Sequence, residues 1–127
     1  MNFLLIDDDP IFTLLSRKLL ERMGIASHIE TVLNGSEAIE LFNRYFIGSL
    51  SIPDVILLDI NMPVMDGFSF LEAFRKLPVP NIGSIRIVIV TSSSNESDMR
   101  RAETLGVDHY LVKPVTEEKL REALKLR

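Results

Sequence analysis

Val55-Ile56-Leu57-Leu58-Asp59-Ile60-Asn61-Met62-Pro63-Val64-Met65-Asp66-Gly67 runs from four apolar residues straight into a carboxylate and a loop. An apolar run without alternation predicts a strand covered on both faces, as inside a parallel sheet. The carboxylate at its end lies where, in an open α/β sheet, ligands bind and chemistry occurs. A second acidic group, Asp7-Asp8-Asp9, follows another apolar run, Phe3-Leu4-Leu5-Ile6. If the two strands are neighbours, several carboxylates converge at one edge of the sheet. Such a group is costly to ionise without a cation.

Outward from these two stretches, apolar runs and amphipathic segments alternate five times along the chain. Strands are predicted over residues 2–6, 27–32, 54–58, 85–90 and 109–112, and helices over 10–23, 35–47, 67–76, 96–105 and 116–126. This alternation predicts an α/β sandwich of (βα)₅ type, a parallel sheet with helices on both faces. Phe3–Ile6, Val55–Leu58 and Ile87–Val90 read as interior strands, Ser27–Val32 carries polar groups like an edge, and the fifth strand is short. Right-handed crossovers then favour the order 2-1-3-4-5, which makes strands 1 and 3 neighbours. Phe12, Leu15, Leu19 and Met23 follow helical spacing on the first helix; Ala38, Ile39, Leu41, Phe42 and Tyr45 mark the second. Phe68, Leu71 and Phe74 mark the third, and Leu120, Ala123 and Leu124 the fifth. Gly24 and Gly106 stand where helices 1 and 4 should stop. Asp9 with Pro10 predicts the cap of helix 1, Asn34 with Glu37 a capping box on helix 2, and Asp66-Gly67 a turn and cap before helix 3. Ile47–Pro53 and Leu77–Ser84 read as surface connections.

The chain of 127 residues is sized for one domain, with 46% hydrophobic and 25% charged residues. A formal net charge of -4 argues against nucleic-acid binding through general basicity. The absence of cysteine excludes disulfides, thiolate metal sites and cysteine catalysis. No apolar run reaches membrane-spanning length and no signal peptide is apparent, so the expected location is cytoplasmic, with no membrane partner. His28 and His109 have no ligand spacing and read as surface or edge-strand residues.

The predicted topology gathers four sites at the C-terminal edge of the sheet: Asp7 with Asp8, Asp59, Thr91 with Ser92, and Lys113 before Pro114. Carboxylates from two strands plus loop carbonyls make a hard-oxygen site suited to Mg²⁺, with Mn²⁺ as the alternative. A carboxylate beside such an ion can be a nucleophile toward phosphorus. Phosphoryl transfer needs charge on the equatorial oxygens neutralised. The metal, the Lys113 ammonium, and the Thr91 hydroxyl with nearby N–H groups can supply that for Asp59.

Ile6-Asp7-Asp8-Asp9-Pro10, Leu58–Gly67, Val90-Thr91-Ser92 and Tyr110-Leu111-Val112-Lys113-Pro114 together resemble the receiver domains of two-component response regulators, in order and over essentially the whole chain. The resemblance implies a flavodoxin-like fold and a signalling phosphoacceptor, an enzyme only toward its own Asp phosphorylation and dephosphorylation. It implies that Asp59 accepts a phosphoryl group from a histidine kinase or histidine phosphotransfer protein. Asp8 is implied as a direct metal ligand, Asp7 as a second ligand or one acting through water, and the Asn61 backbone carbonyl as a further ligand. Lys113 would pair with the phosphoryl group, Thr91 would hydrogen-bond it, and Ser92 could offer a backbone N–H. Tyr110 matches an aromatic switch position. Ser93 and Asn61 fall where the family varies and tunes phosphoryl lifetime. The Lys113–Pro114 bond is expected to be cis.

The chain is expected to be a single receiver domain over 1–127 without an output domain, acting on an unidentified downstream protein. The face of helix 4, strand 5 and helix 5 is the implied contact surface, with Glu96, Asp98, Arg100, Arg101, Glu103, Glu117, Lys119 and Arg121 as candidate exposed residues. Three other readings compete. A flavin-nucleotide binder needs a phosphate-cradling loop after strand 1, where this chain has three acids. A phosphatase lacks its general acid, because Asn61 stands two residues past Asp59. A degenerate receiver would act as a phosphorylation-independent scaffold, although Asp8, Asp59, Thr91 and Lys113 are all present.

Overall fold

A strand covered by helices on both faces must be apolar at every position, and the period of two then sorts its side chains into separate cores. In the computed structural model, which describes residues 1–46, 52–62 and 64–126 (for Tyr45 and Phe46 the backbone alone), this sorting is complete. The elements are β1 (Asn2–Ile6), α1 (Pro10–Met23), β2 (His28–Val32), α2 (Gly35–Phe46), β3 (Val55–Leu58), α3 (Gly67–Phe74), a 3₁₀ turn (Ile82–Ser84), β4 (Arg86–Thr91), α4 (Glu96–Thr104), β5 (His109–Val112) and α5 (Glu117–Ala123). Leu4, Ile6, Ile56, Leu58, Ile87 and Ile89 point to one face, against Phe42 of α2, Phe70 and Phe74 of α3 and Ala102 of α4. Phe3, Leu5, Val55, Leu57, Val88 and Val90 point to the other, against Leu19 and Leu20 of α1 and Leu120 and Ala123 of α5.

The five strands are parallel in the order β2-β1-β3-β4-β5, the flavodoxin-like α/β arrangement expected from the sequence. The register pairs Ile6 with Leu58, so Asp7 and Asp59 leave adjacent strands at the same level. β2 lies at one edge, as its polar residues require, and β5 at the other. Among the described residues no helix is long and apolar enough to cross a membrane.

Several local expectations change. Leu15 is not on the buried stripe of α1; it is 59% exposed, and the inward residues are Ser16, Leu19 and Leu20, with Phe12 and Met23 partly buried. β4 begins and ends one residue later than predicted, because Thr91 still pairs with Val112. α3 stops at Phe74, where bonds from Lys76 N–H to the Ala73 carbonyl (3.1 Å) and from Leu77 N–H to Phe74 (3.1 Å) tighten the chain ahead of Pro78. α5 starts after Thr116, whose hydroxyl caps it, and ends where Lys125 turns left-handed at φ 56°. Glu37 does reach back, but to the Leu33 N–H (3.2 Å) rather than that of Asn34, while Asn34 caps through the Glu37 N–H (3.0 Å). The Tyr45 side chain, most of the 47–53 loop, Pro63 and residue 127 lie outside the described residues.

Helix stops agree with the sequence reading. Gly24 ends α1 in the left-handed region, and Gly106 ends α4 at φ 78°. At Gly106 the bonds Gly106 N–H to Glu103 carbonyl (3.0 Å) and Val107 N–H to Ala102 carbonyl (3.3 Å) form the paired closure that favours glycine.

Candidate functional site

The backbone sets the site before any side chain does. Asp7, Asp59 and Lys113 each sit one residue past a strand, and each is held by one more ladder-like bond. Asp7 N–H donates to the Val32 carbonyl (3.2 Å), Asp59 N–H to Ile6 (2.9 Å) and Lys113 N–H to Thr91 (2.7 Å). Three strands therefore aim three charged side chains at the same edge. Gly67 closes the loop behind Asp59: a Cβ there would lie 2.6 Å from the Asp59 carbonyl oxygen and 2.7 Å from Ile60 Cα.

Asp7, Asp8 and Asp59 each bring a carboxylate oxygen to within 4.8 Å of the others. Asp7 is 4% exposed and Asp59 6%, whereas Asp8 stands in the open. Asp9 is outside the group; its carboxylate accepts from the N–H groups of Ile11 (3.0 Å) and Phe12 (3.3 Å) and caps α1. The Lys113 ammonium donates to Asp7 Oδ2 at 3.1 Å and stands 3.7 Å from Asp59 Oδ2. Its other neighbour is the Phe12 ring, whose centroid is 4.0 Å from Nζ. Burial raises the Asp7 pKa above the ordinary 3.8; the Asp9 N–H pulls it down, the Asp59 charge pushes it up, and Lys113 pulls it down again. Three carboxylates facing one ammonium leave uncompensated negative charge on hard oxygen donors. That donor set fits a divalent cation such as Mg²⁺.

Thr91 is wholly buried at the end of β4. Its hydroxyl oxygen accepts from the Asn61 side-chain amide (3.4 Å) and from the Ser93 N–H (3.3 Å). The Asn61 backbone N–H donates to Asp59 Oδ1 at 3.2 Å. Ser92 follows in an exposed position. Tyr110 is half-buried on β5 and donates from its hydroxyl to the Ser93 carbonyl at 2.9 Å. Burial holds its phenol above the ordinary pKa. The Lys113–Pro114 bond is cis.

Sequence reasoning missed three contacts. Phe12 reads only as core in the sequence, with no signal for its place under Lys113. Asp98, expected on an exposed output face, accepts from the Ser93 hydroxyl at 2.7 Å. Lys119, expected there too, donates to the Val112 (3.1 Å) and Pro114 (3.0 Å) carbonyls on either side of Lys113. Of the remaining candidates, Glu96, Arg100, Arg101 and Glu103 are exposed, and Glu117 and Arg121 pair with each other at 3.0 Å. His28 is exposed on edge strand β2 and meets Glu30 at 3.3 Å; His109 lies on edge strand β5.

The response regulator receiver domain family matches residues 3–125. The chain belongs to that family. The receiver is 30% identical over 122 residues to the probable methanogenesis regulatory protein FilR2 of Methanothrix harundinacea, covering 96% of this chain and 77% of FilR2. It is 33% identical to the chemotaxis protein CheY of Halobacterium salinarum, covering 95% of this chain and 91% of that one. The crystal structure of a two-component response regulator from Cytophaga hutchinsonii superposes with a TM-score of 0.87 at 29% identity, covering 98% of this chain and 93% of that one. Other curated relatives are longer, and the receiver spans 50%, 54% and 52% of three of them. A receiver is a signalling phosphoacceptor rather than a conventional enzyme, and its acidic pocket here is Asp7, Asp8 and Asp59 with Lys113. Membership implies a histidine kinase partner.

Proposed function

We propose that Asp59 is the phosphoacceptor and that a phosphohistidine, on a histidine kinase or a histidine phosphotransfer protein, is the donor. The observation that carries this is the Lys113 ammonium, 3.1 Å from Asp7 and 3.7 Å from Asp59, beside the buried Thr91 hydroxyl's loop. An Asp59 carboxylate oxygen attacks phosphorus, the P–N bond breaks, and the imidazole leaves with the electron pair. The Lys113 ammonium takes one equatorial oxygen of the phosphoryl group, and the Thr91 hydroxyl with the Ser92 N–H takes another. Asp7, Asp8 and Asp59, with the Asn61 backbone carbonyl, would hold Mg²⁺, or Mn²⁺ in its place. When bound, the ion neutralises charge on the phosphoryl oxygens.

Once Thr91 turns to the phosphoryl group, its bonds to Asn61 and Ser93 are given up, and Tyr110 follows through the Ser93 carbonyl. Two pre-existing states change population, and a downstream protein reads the change. Ile11, Leu14 and Leu15 on α1, with Leu33 and Val64 in neighbouring loops, stand exposed around the acidic edge. An apolar rim of this kind suits a protein donor. We take residues 3–125 as one receiver domain working in the cytoplasm, with a protein rather than nucleic acid or membrane as its target. With all four polar groups in place, the scaffold reading has no observation in its favour.

Incubation with acetyl phosphate and Mg²⁺ tests the proposal by intact mass. The expected result is a gain of one phosphoryl group, lost in Asp59→Asn. A wild-type chain that gains none would overturn it.

A further inference from the structure

We infer that Phe12 is a positioning residue for the Lys113 ammonium; this rests on the phosphoacceptor reading above. Lys113 Nζ lies 4.0 Å from the centroid of the Phe12 ring, well inside the range at which a ring face attracts a cation. The same ring lines, with Asp7 and Asp59, a cavity of about 10 Å³ beneath the carboxylates, whose other walls include Leu5, Leu57 and Val90. The Lys113 side chain is itself only 19% exposed, so the ammonium meets the ring largely shielded from water, where such attractions are stronger than at an open surface.

The chemistry of the contact fits a group that has to change partners. A lysine side chain has four flexible bonds and, untethered, spends its time in water. Its hydrogen bond to Asp7 fixes one N–H direction, and Asp59 at 3.7 Å lies beyond a good hydrogen bond. The ring face supplies attraction that claims no particular N–H. The ammonium can thus turn toward an arriving phosphoryl oxygen while staying over Phe12, and the cation is already placed when the donor docks. Asp9 and Pro10 fix where the ring stands, because they start α1 and so set the rotation of the first turn.

The experiment compares wild type, Phe12→Leu and Phe12→Tyr for beryllofluoride binding at saturating Mg²⁺, and for Mg²⁺ binding alone. Leu keeps an apolar side chain and loses the ring face; Tyr keeps the face. Phe12→Leu is expected to weaken beryllofluoride binding about threefold to tenfold, the size of one partly desolvated cation–π contact. Phe12→Tyr should restore it, and Mg²⁺ affinity should fall in neither variant. Equal beryllofluoride binding in all three proteins would overturn the role of Phe12, as would equal losses in Leu and Tyr or a parallel loss of Mg²⁺ affinity, which mark simple packing. If wild type itself takes up no beryllofluoride, the phosphoacceptor reading falls, and this inference with it.

Discussion

At the scale of single residues, the site carries charge at a cost to the fold. Asp7 is buried, and its pKa is raised chiefly by that burial. An acid whose folded pKa lies above its unfolded value binds its proton more tightly in the folded state. The contribution of Asp7 to stability is then greatest below the ordinary value of 3.8 and is lost as pH rises through the raised folded value. Asp7→Asn is accordingly expected to raise the melting temperature at neutral pH in buffer free of divalent cations, and to weaken Mg²⁺ binding; a lower melting temperature would contradict the assignment. Added Mg²⁺ should stabilise wild type more as pH rises, since the ion binds the ionised carboxylates. Gly67 is the backbone counterpart. Any side chain there meets the Asp59 carbonyl and Ile60 Cα, atoms that cannot swing aside. Gly67→Ala should cost about 1–3 kcal/mol by urea denaturation, the usual size of overpacking in a tight site. The acids, Thr91 and Lys113 were legible because each follows a strand pattern. The Phe12–Lys113 contact was not, because it joins the first helix to the last strand and no local pattern encodes it.

At the scale of elements, strands were easier to read than the faces of helices. Continuous apolar runs mark the strands that are covered on both faces, and the neighbouring of β1 and β3 followed from placing those runs inside the sheet. Helical spacing instead defines a broad stripe, and Leu15 lies on its outer flank beside Ile11 and Leu14 rather than in the core. Caps were legible because their chemistry is local. Asp9 separates the two uses of a carboxylate at this edge, since it follows Asp7 and Asp8 directly yet bonds to α1. Asp9→Ala should cost about 1 kcal/mol of stability by chemical denaturation, whereas Asp9→Asn, which keeps the accepting oxygen, should cost much less. Neither should weaken Mg²⁺ binding as strongly as Asp8→Asn, measured by titration. A loss in Asp9→Asn equal to that in Asp8→Asn would place Asp9 among the ligands after all.

At the scale of the whole molecule, the helices are anchored unequally. α2 and α3 share a cluster in which the Phe42 and Phe74 rings meet at 5.1 Å and Phe70 and Phe74 at 5.4 Å. α4 buries one residue, Ala102. Leu105 and Val107 just past its end pack partly on the core, and its remaining ties include the Arg101 guanidinium 4.5 Å from the Phe68 ring and 3.4 Å from Glu72, Arg75 donating to the Gly106 carbonyl (2.9 Å), and Asp98 accepting from Ser93. Exposed polar ties hold weakly beside aromatic packing. Hydrogen exchange should therefore find α4 the least protected of these three helices, with α3 slow. Ser93 joins this loose helix to the switch residues, because its N–H meets Thr91, its carbonyl Tyr110 and its hydroxyl Asp98. A movement of Thr91 toward a phosphoryl group thus pulls on the first turn of α4 through one residue. Asp98→Ala cuts that link while leaving Asp59, Thr91 and Lys113 intact. Beryllofluoride should alter exchange over residues 92–102 in wild type and alter it less in Asp98→Ala, with uptake at Asp59 retained in both. If the α4 response is undiminished in the variant, the signal reaches α4 by another route, such as the Asn95 N–H bond to the Ser93 hydroxyl (3.3 Å) or Tyr110 on β5.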